Sequence, residues 1–255
     1  MEGDLVTRVI ACIDNSAAAR PVLEGARAIA PLFGAQVEAA HVTESDESAD
    51  TTTAYTANVP LRTLHGETVD ELVNLTQDQE VVAAVVGARG RPLGRQPAGH
   101  VALELADRAA ALLVIVPPDA RVREPIQRVL MAVKGTATNA RSLERAIELT
   151  DVKDIELVVV HVDDEENIPS FSDQVQHETD EFIREFLARY VPAAPAARVA
   201  LRIGRPADEI LDTIDAEQPD LVAIGWRRNA GPDGGLVARE VVARSHVPVL
   251  LATVS

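Results

Sequence analysis

VVAAVVGARGRPLGRQPAGHVALELADRAAALLVIV, residues Val81 to Val116, is the stretch that decides the fold. It opens on an apolar run, Val81 to Val86, that ends at Gly87, the pattern of a strand buried on both faces. A loop rich in Gly, Pro and Arg follows, and Gly99-His100 then leads into Val101 to Ala110, whose apolar positions recur at helical spacing. A second apolar run, Leu112 to Val116, stops at Pro117-Pro118. The unit reads strand, glycine-rich loop, helix, strand. In an open parallel sheet, ligands bind where a loop leaves the carboxyl end of a strand and enters a helix. Backbone N–H groups and the positive end of the helix dipole favour an anion there. Arg89, Arg91 and Arg95 make that loop locally positive, and phosphate is the anion to expect.

Outward from this stretch, the chain reads twice. Arg8-Val-Ile-Ala-Cys-Ile-Asp14-Asn-Ser16 matches Arg128-Val-Leu-Met-Ala-Val-Lys134-Gly-Thr136, and Val37-Glu-Ala-Ala-His41-Val42 matches Leu157-Val-Val-Val-His161-Val162, both at an offset of 120. Gly66 with Asp70-Glu-Leu-Val matches Gly204 with Asp208-Glu-Ile-Leu, and Val85-Val-Gly87 matches Ala223-Ile-Gly225, both at an offset of 138. The change of offset places an insertion in the second copy. There Phe171 to Tyr190 predicts a helix, with Phe182, Phe186 and Leu187 on one face, where the first copy has only the polar run Thr43 to Asn58. Charge divides evenly: residues 1–124 carry 18 acidic and 10 basic groups and residues 125–255 carry 22 and 14, a net −8 in each.

In order, the first copy predicts a strand over Val9 to Ile13, with Asp14-Asn15-Ser16 capping a helix over Ala17 to Leu32. Strands over Gln36 to Val42 and Val59 to Leu64 and a helix over Thr68 to Gln77 lead into the opening stretch. Alternating strands and helices make a parallel sheet with helices on both faces. The expected division is a domain over residues 1–118, a linker over 119–125 and a second domain over 126–255, with prolines bounding the link.

Composition narrows the function classes. A formal charge of −16 and a pI near 4.7 argue against general affinity for nucleic acid or an anionic membrane surface. Lys134 and Lys153 are the sole lysines among abundant Asp, Glu, Ala and Arg, which fits a salt-adapted (halophilic) acidic protein. No apolar run reaches bilayer-spanning length and Met1 to Leu5 has no leader character, so the expected location is the cytoplasm. Cys12 is the lone cysteine, sits in an apolar run and reads as a small buried hydrophobe. His41 and His161 close a buried strand without a cluster at ligand spacing, so no metal site is expected. Trp226 reads as a plug between domains.

The doubled pattern resembles the universal stress protein family over nearly the whole chain. The residues that carry the likeness are Asp14 and Ser16 after the first strand, His41-Val42 and His161-Val162 closing the second, Gly204-Arg-Pro206-Ala207 after the third, and Gly87-Ala-Arg-Gly90 followed by Gly99-His100-Val101-Ala102. The resemblance implies two doubly wound, five-stranded parallel α/β domains of the adenine nucleotide alpha hydrolase-like type. It also implies pairing of their last strands, Leu112 to Val116 with Val249 to Ala252, as an internal pseudo-dimer. One branch of the family binds ATP, and the cofactor-binding positions carried over are Asp14, Ser16, Val42, Gly87, Arg89, Gly90, Gly99, His100 and Val101 in the first copy and Gly204, Pro206 and Gly225 in the second. The sequence departs from that branch: His100 stands where a hydroxyl would meet phosphate, the spacer from Gly90 to Gly99 is one residue short, and Thr68 replaces a proline. In the second copy Lys134 replaces the aspartate, Arg228 replaces the second glycine and Leu236 follows Gly235 without a hydroxyl. The first copy is therefore expected to hold the better anion cradle.

Three functions follow as expectations. The first is a non-catalytic stress-response regulator that senses an adenine nucleotide, ATP or AMP, in the first domain. The second is an interaction module without ligand, such as the regulatory partner of a membrane transporter. The third is a slow ATPase, for which the sequence shows no catalytic constellation.

Overall fold

The computed structural model describes residues 6–14, 19–43, 58–88, 99–134, 155–163, 180–192, 194–228 and 235–254. Its strands are β1 (Arg8–Cys12), β2 (Gln36–Thr43), β3 (Leu61–His65), β4 (Val81–Gly87), β5 (Leu112–Val116), β6 (Arg128–Ala132), β7 (Glu156–Asp163), β8 (Arg198–Ile203), β9 (Leu221–Arg227) and β10 (Val249–Val254). Its α-helices are α1 (Ala19–Ile29), α2 (Thr68–Leu75), α3 (His100–Arg108), α4 (Asp180–Tyr190), α5 (Pro206–Glu217) and α6 (Leu236–Arg244). The strands form one ten-stranded sheet in the order β3-β2-β1-β4-β5-β10-β9-β6-β7-β8. Each half has the same doubly wound order, and the second half reads as the mirror of the first along the sheet.

Every pairing is parallel except the central one, where β10 runs antiparallel to β5 with Val249 opposite Ile115, Leu250 opposite Val114 and Leu251 opposite Leu113. The expected seam is therefore present. One consequence governs the rest of the molecule: the carboxyl ends of β1 and β4 lie along one rim of the sheet, and those of β6 and β9 along the opposite rim.

The unbroken apolar runs are buried on both faces, as a parallel sheet covered by helices requires. Ile10, Ala84 and Leu113 point into one layer with residues of α2, α3, α5 and α6. Val9, Ala83 and Val114 point into the other with α1 and with Phe186 and Leu187 of α4. With few aromatics, this core is filled by Val, Leu, Ile and Ala, each large aliphatic side chain stabilising by about 1.5–3 kcal/mol on burial.

Several ends differ from expectation for local reasons. The helix expected to reach Leu32 stops at Ile29. Pro31 lies within a 3-10 turn over Ala30–Phe33, which Gly34 closes at φ 60°. The third strand starts at Leu61 rather than Val59, because Pro60 has no N–H for the ladder. The first strand covers Arg8–Cys12 rather than Val9 to Ile13, and α2 and α3 end two residues early, at Leu75 and Arg108. Of the helix expected over Phe171 to Tyr190, the described part is α4, Asp180–Tyr190.

At the amino ends of the strands an arginine staples each half. Arg8 meets Glu38 at 2.6 Å and Glu80 at 3.2 Å, and Arg62 shares Glu38 at 2.8 Å. Arg128 meets Glu156 at 2.7 Å, and Arg198 joins Glu156 at 3.2 Å. Beside the second staple, buried Asp220 accepts the backbone N–H groups of Gln127 and Arg128 at 2.8 and 2.9 Å, tying the start of β6 to that of β9.

Candidate ligand crevice

In a doubly wound sheet the ligand crevice opens where strand order reverses, at the carboxyl ends of the strands. In the first half that point lies between β1 and β4. The exit of β1 is fixed from both sides. The N–H of Ile13 donates to the carbonyl of Ala40 at 2.9 Å, and the Nδ1–H of His41 donates to the carbonyl of Ile13 at 3.1 Å. His41 is thus the satisfied structural imidazole expected of it, and it presents Asp14, the next residue, exposed on the rim. Val42 follows on β2, half-buried against the core.

The exit of β4 is tied just as closely. Ala88 donates its N–H to the carbonyl of Val116 at 2.8 Å and accepts the N–H of Gly99 at 2.6 Å. Ala88 and Gly99, the described residues on either side of 89–98, are therefore held together. Gly99 caps α3 in an extended conformation (φ −66°, ψ 157°) without a side-chain cap, and the first turn of α3 holds no acidic residue. The positive end of the α3 dipole lies at Gly99. The structure brings Asp14, Val42, Gly87, Gly99, His100 and Val101 to the same rim. His100 is exposed as the first helical residue, whereas Val101 is half-buried and packs on the core. Ser16, Arg89 and Gly90 lie outside the described residues.

The second-half residues are arranged otherwise. His161 repeats the pin, its Nδ1–H donating to the carbonyl of Val133 at 2.8 Å, but the exposed residue that follows is Lys134. Gly225 lies within β9 opposite Ala252, and the residue after it is Trp226, only 2% exposed. Its ring lies on the head of α6: a Cβ added to Gly235, which caps that helix at φ 69°, would come 2.8 Å from ring carbon Cζ3. The Arg239 guanidinium lies 5.4 Å from the ring centroid, a cation–π contact. Where the first half has Ala88, the second half has an indole filling the space between strand exit and helix.

Trp226 also reaches across the seam. Its Nε1–H donates to Oδ1 of Asp107 at 3.1 Å, and Arg228 donates to the carbonyl of Ala109, both at the carboxyl end of α3 in the first half. The expected plug between domains is this contact. Asp107 and Ala109 carry no sequence signal, because their role depends on the antiparallel seam.

Gly204 and Pro206 shape a turn. Gly204, at φ 147°, donates its N–H to the carbonyl of Asp163 at 3.0 Å, and Pro206 opens α5. A Cβ on Gly204 would meet Glu209 Oε1 at 2.8 Å, and Gly66 repeats this with φ 147° and Glu71 Oε1 at 2.9 Å. Both glycines lie on the outermost strand exits, two strands from the reversal point. Cys12 is buried, and burial pushes its thiol up to about 12, which leaves it protonated at neutral pH. Among the described residues no group of His, Cys, Asp and Glu is arranged to hold a metal ion, and no helix is long and apolar enough to cross a membrane.

With this geometry in view, the comparisons with known proteins assign the class. The family model of the universal stress protein family matches residues 125–253, half of the chain. The chain belongs to the universal stress protein family. A universal stress protein from Archaeoglobus fulgidus DSM 4304 is similar over 97% of this chain and 98% of its own, with a TM-score of 0.70 and 17% identity. A functionally unknown protein from Pseudomonas aeruginosa PAO1 is similar over 97% and 92%, with a TM-score of 0.70 and 14% identity. A putative universal stress protein from Pseudomonas aeruginosa UCBPP-PA14 covers 97% and 93% at the same TM-score and 15% identity. At these identities the likeness is one of fold. None of the curated proteins matches the chain.

Proposed function

We propose that this universal stress protein is a regulatory module whose first half, residues 1–118, senses an adenine nucleotide, ATP or AMP, without turning it over. The observation that carries this reading is the rim between β1 and β4. There Gly99, at the head of α3 without a side-chain cap, is tied to the exit of β4 through Ala88, and Asp14 is exposed at the exit of β1 on the same rim. Amide donors at a helix head suit phosphate oxygens and need no side chain, so the loss of a hydroxyl at His100 is compatible with phosphate binding. A carboxylate at Asp14 suits a ribose or base donor. The second half, residues 126–255, offers Lys134 in place of that carboxylate and the indole of Trp226 in place of Ala88, and it is read as the non-binding copy.

Thermal unfolding with and without millimolar ATP or AMP tests the reading. A nucleotide at a hundred times its Kd raises stability by about 2.7 kcal/mol, a shift of several degrees for a chain of this size. Asp14→Ala and Gly90→Val are expected to abolish the shift. No shift with any adenine nucleotide would reject the proposal, and radiolabelled ATP converted to ADP by pure protein would replace sensor with enzyme.

A further inference from the structure

The seam strands are poor discriminators. Leu112 to Val116 and Val249 to Ala252 are both short apolar runs, and apolar burial has no direction, so either strand is suited to pair with a copy of itself from another chain. The directional groups lie beside the seam and on one side of it. Helices α3 and α6 have nine residues each and end alike, with Ala109 and Ser245 closing onto Leu105 and Val241, so the counterpart of Asp107 is Ala243. Gly87 and Gly225 correspond at the offset of 138, although β9 runs on to Arg227, so the counterpart of Trp226 is Ala88. The hydrogen bond from Trp226 to Asp107 thus has no mirror image: across the pseudo-symmetric position, alanine faces alanine.

We propose that the exit of β9 is a docking element whose partner is the first half of the same chain, and that it makes the seam accept unlike halves only. In the observed arrangement the buried indole N–H is satisfied by Asp107 and the Ala109 carbonyl by Arg228. If second half met second half, Trp226 would face Ala243 and its N–H would be buried without an acceptor, which is penalised more than a missing surface contact. If first half met first half, Ala88 would leave Asp107 without its donor. Specificity of this kind comes from the misfit of the wrong pair as much as from the fit of the right one. This inference is independent of nucleotide binding.

Urea unfolding of the full-length chain, followed by circular dichroism, tests it with five variants. Asp107→Ala and Trp226→Phe each remove the hydrogen bond while keeping a comparable fold, and each is expected to raise the unfolding constant about fivefold. The double variant is expected to be no worse than either alone, because both remove one interaction. Asp107→Asn, which keeps an accepting oxygen, is expected to restore most of the loss, and Ala243→Asp, on the side without a donor, to have no stabilising effect. Refolding at high protein concentration, followed by light scattering, is expected to give more chain-to-chain assemblies for the double variant than for the unmodified protein. Additive effects, an unchanged Asp107→Ala midpoint, or assemblies equal to those of the unmodified protein would each overturn the proposal.

Discussion

The two halves share one strand order and differ at the rim that matters. In the first, a small residue, Ala88, stands at the strand exit and its carbonyl is bonded to Gly99 at the head of α3; in the second, Trp226 stands there, lies on the head of α6 and fixes its N–H on the neighbouring half. The contrast extends to the residue after the pinned strand exit, Asp14 in one and Lys134 in the other. The halves are alike in the contacts that hold each together and differ at these strand exits. The pins at His41 and His161, and the glycine turns at Gly66 and Gly204, are alike in both copies.

The strongest way to break this comparison is to empty the indole site. Trp226→Ala is expected to cost about 3–5 kcal/mol by urea denaturation, the range for deleting a buried aromatic. A loss below 1 kcal/mol would mean that the second rim is not filled as described. Exchanging the exit charges sharpens the contrast: Asp14→Lys should abolish the nucleotide-induced stabilisation, roughly 2.7 kcal/mol at a hundred times the Kd, while Lys134→Asp should create no second one, since the indole remains. Next come the two glycines. Gly66→Ala and Gly204→Ala are each expected to destabilise by about 1–3 kcal/mol, because both hold φ 147° and both face a glutamate. A large inequality between them would show that one has a second role.

The smallest effect is electrostatic. Hydrogen bonds from Arg128, Arg198, Arg205 and Arg244 hold Glu156, Glu217, Glu240 and Asp208 of the second half below the usual carboxylate range. In the first half Asp78 is held low by the backbone N–H of Glu80 and by Arg8. A carboxylate whose folded value is lowered contributes its stability fully above its unfolded value, near pH 4, and loses it as pH falls through the folded value. Acid should therefore loosen the second half slightly before the first, with hydrogen exchange as the measure. Glu156 and Asp78 are exposed and Asp208, Glu217 and Glu240 half-buried, so molar salt should reduce the difference.

Much of this was legible in the residues. The fifth strand ends where Leu112 to Val116 meets two prolines, and the repeat at offsets of 120 and 138 gave the two copies, their insertion and, through the family likeness, their seam. Ends governed by one residue were less so: Pro31 cut α1 short of Leu32, and Pro60 delayed β3, because a missing N–H overrides apolar periodicity. The pairing of Trp226 with Asp107 was out of reach. The two residues are 119 positions apart, and their encounter depends on strand direction at the seam, which a sequence pattern does not encode.

Joining β5 to β10 uses up one open flank of each half, and the outermost strands are then β3 and β8. Those margins carry Arg62 on one side and Arg198 and Arg202 on the other, and neither strand holds an acidic residue. A further strand laid along either margin would have to strip water from guanidinium groups, and two such margins offer each other no complementary charge. Among the described residues the sheet therefore ends on two positively charged margins, which disfavour edge-to-edge growth.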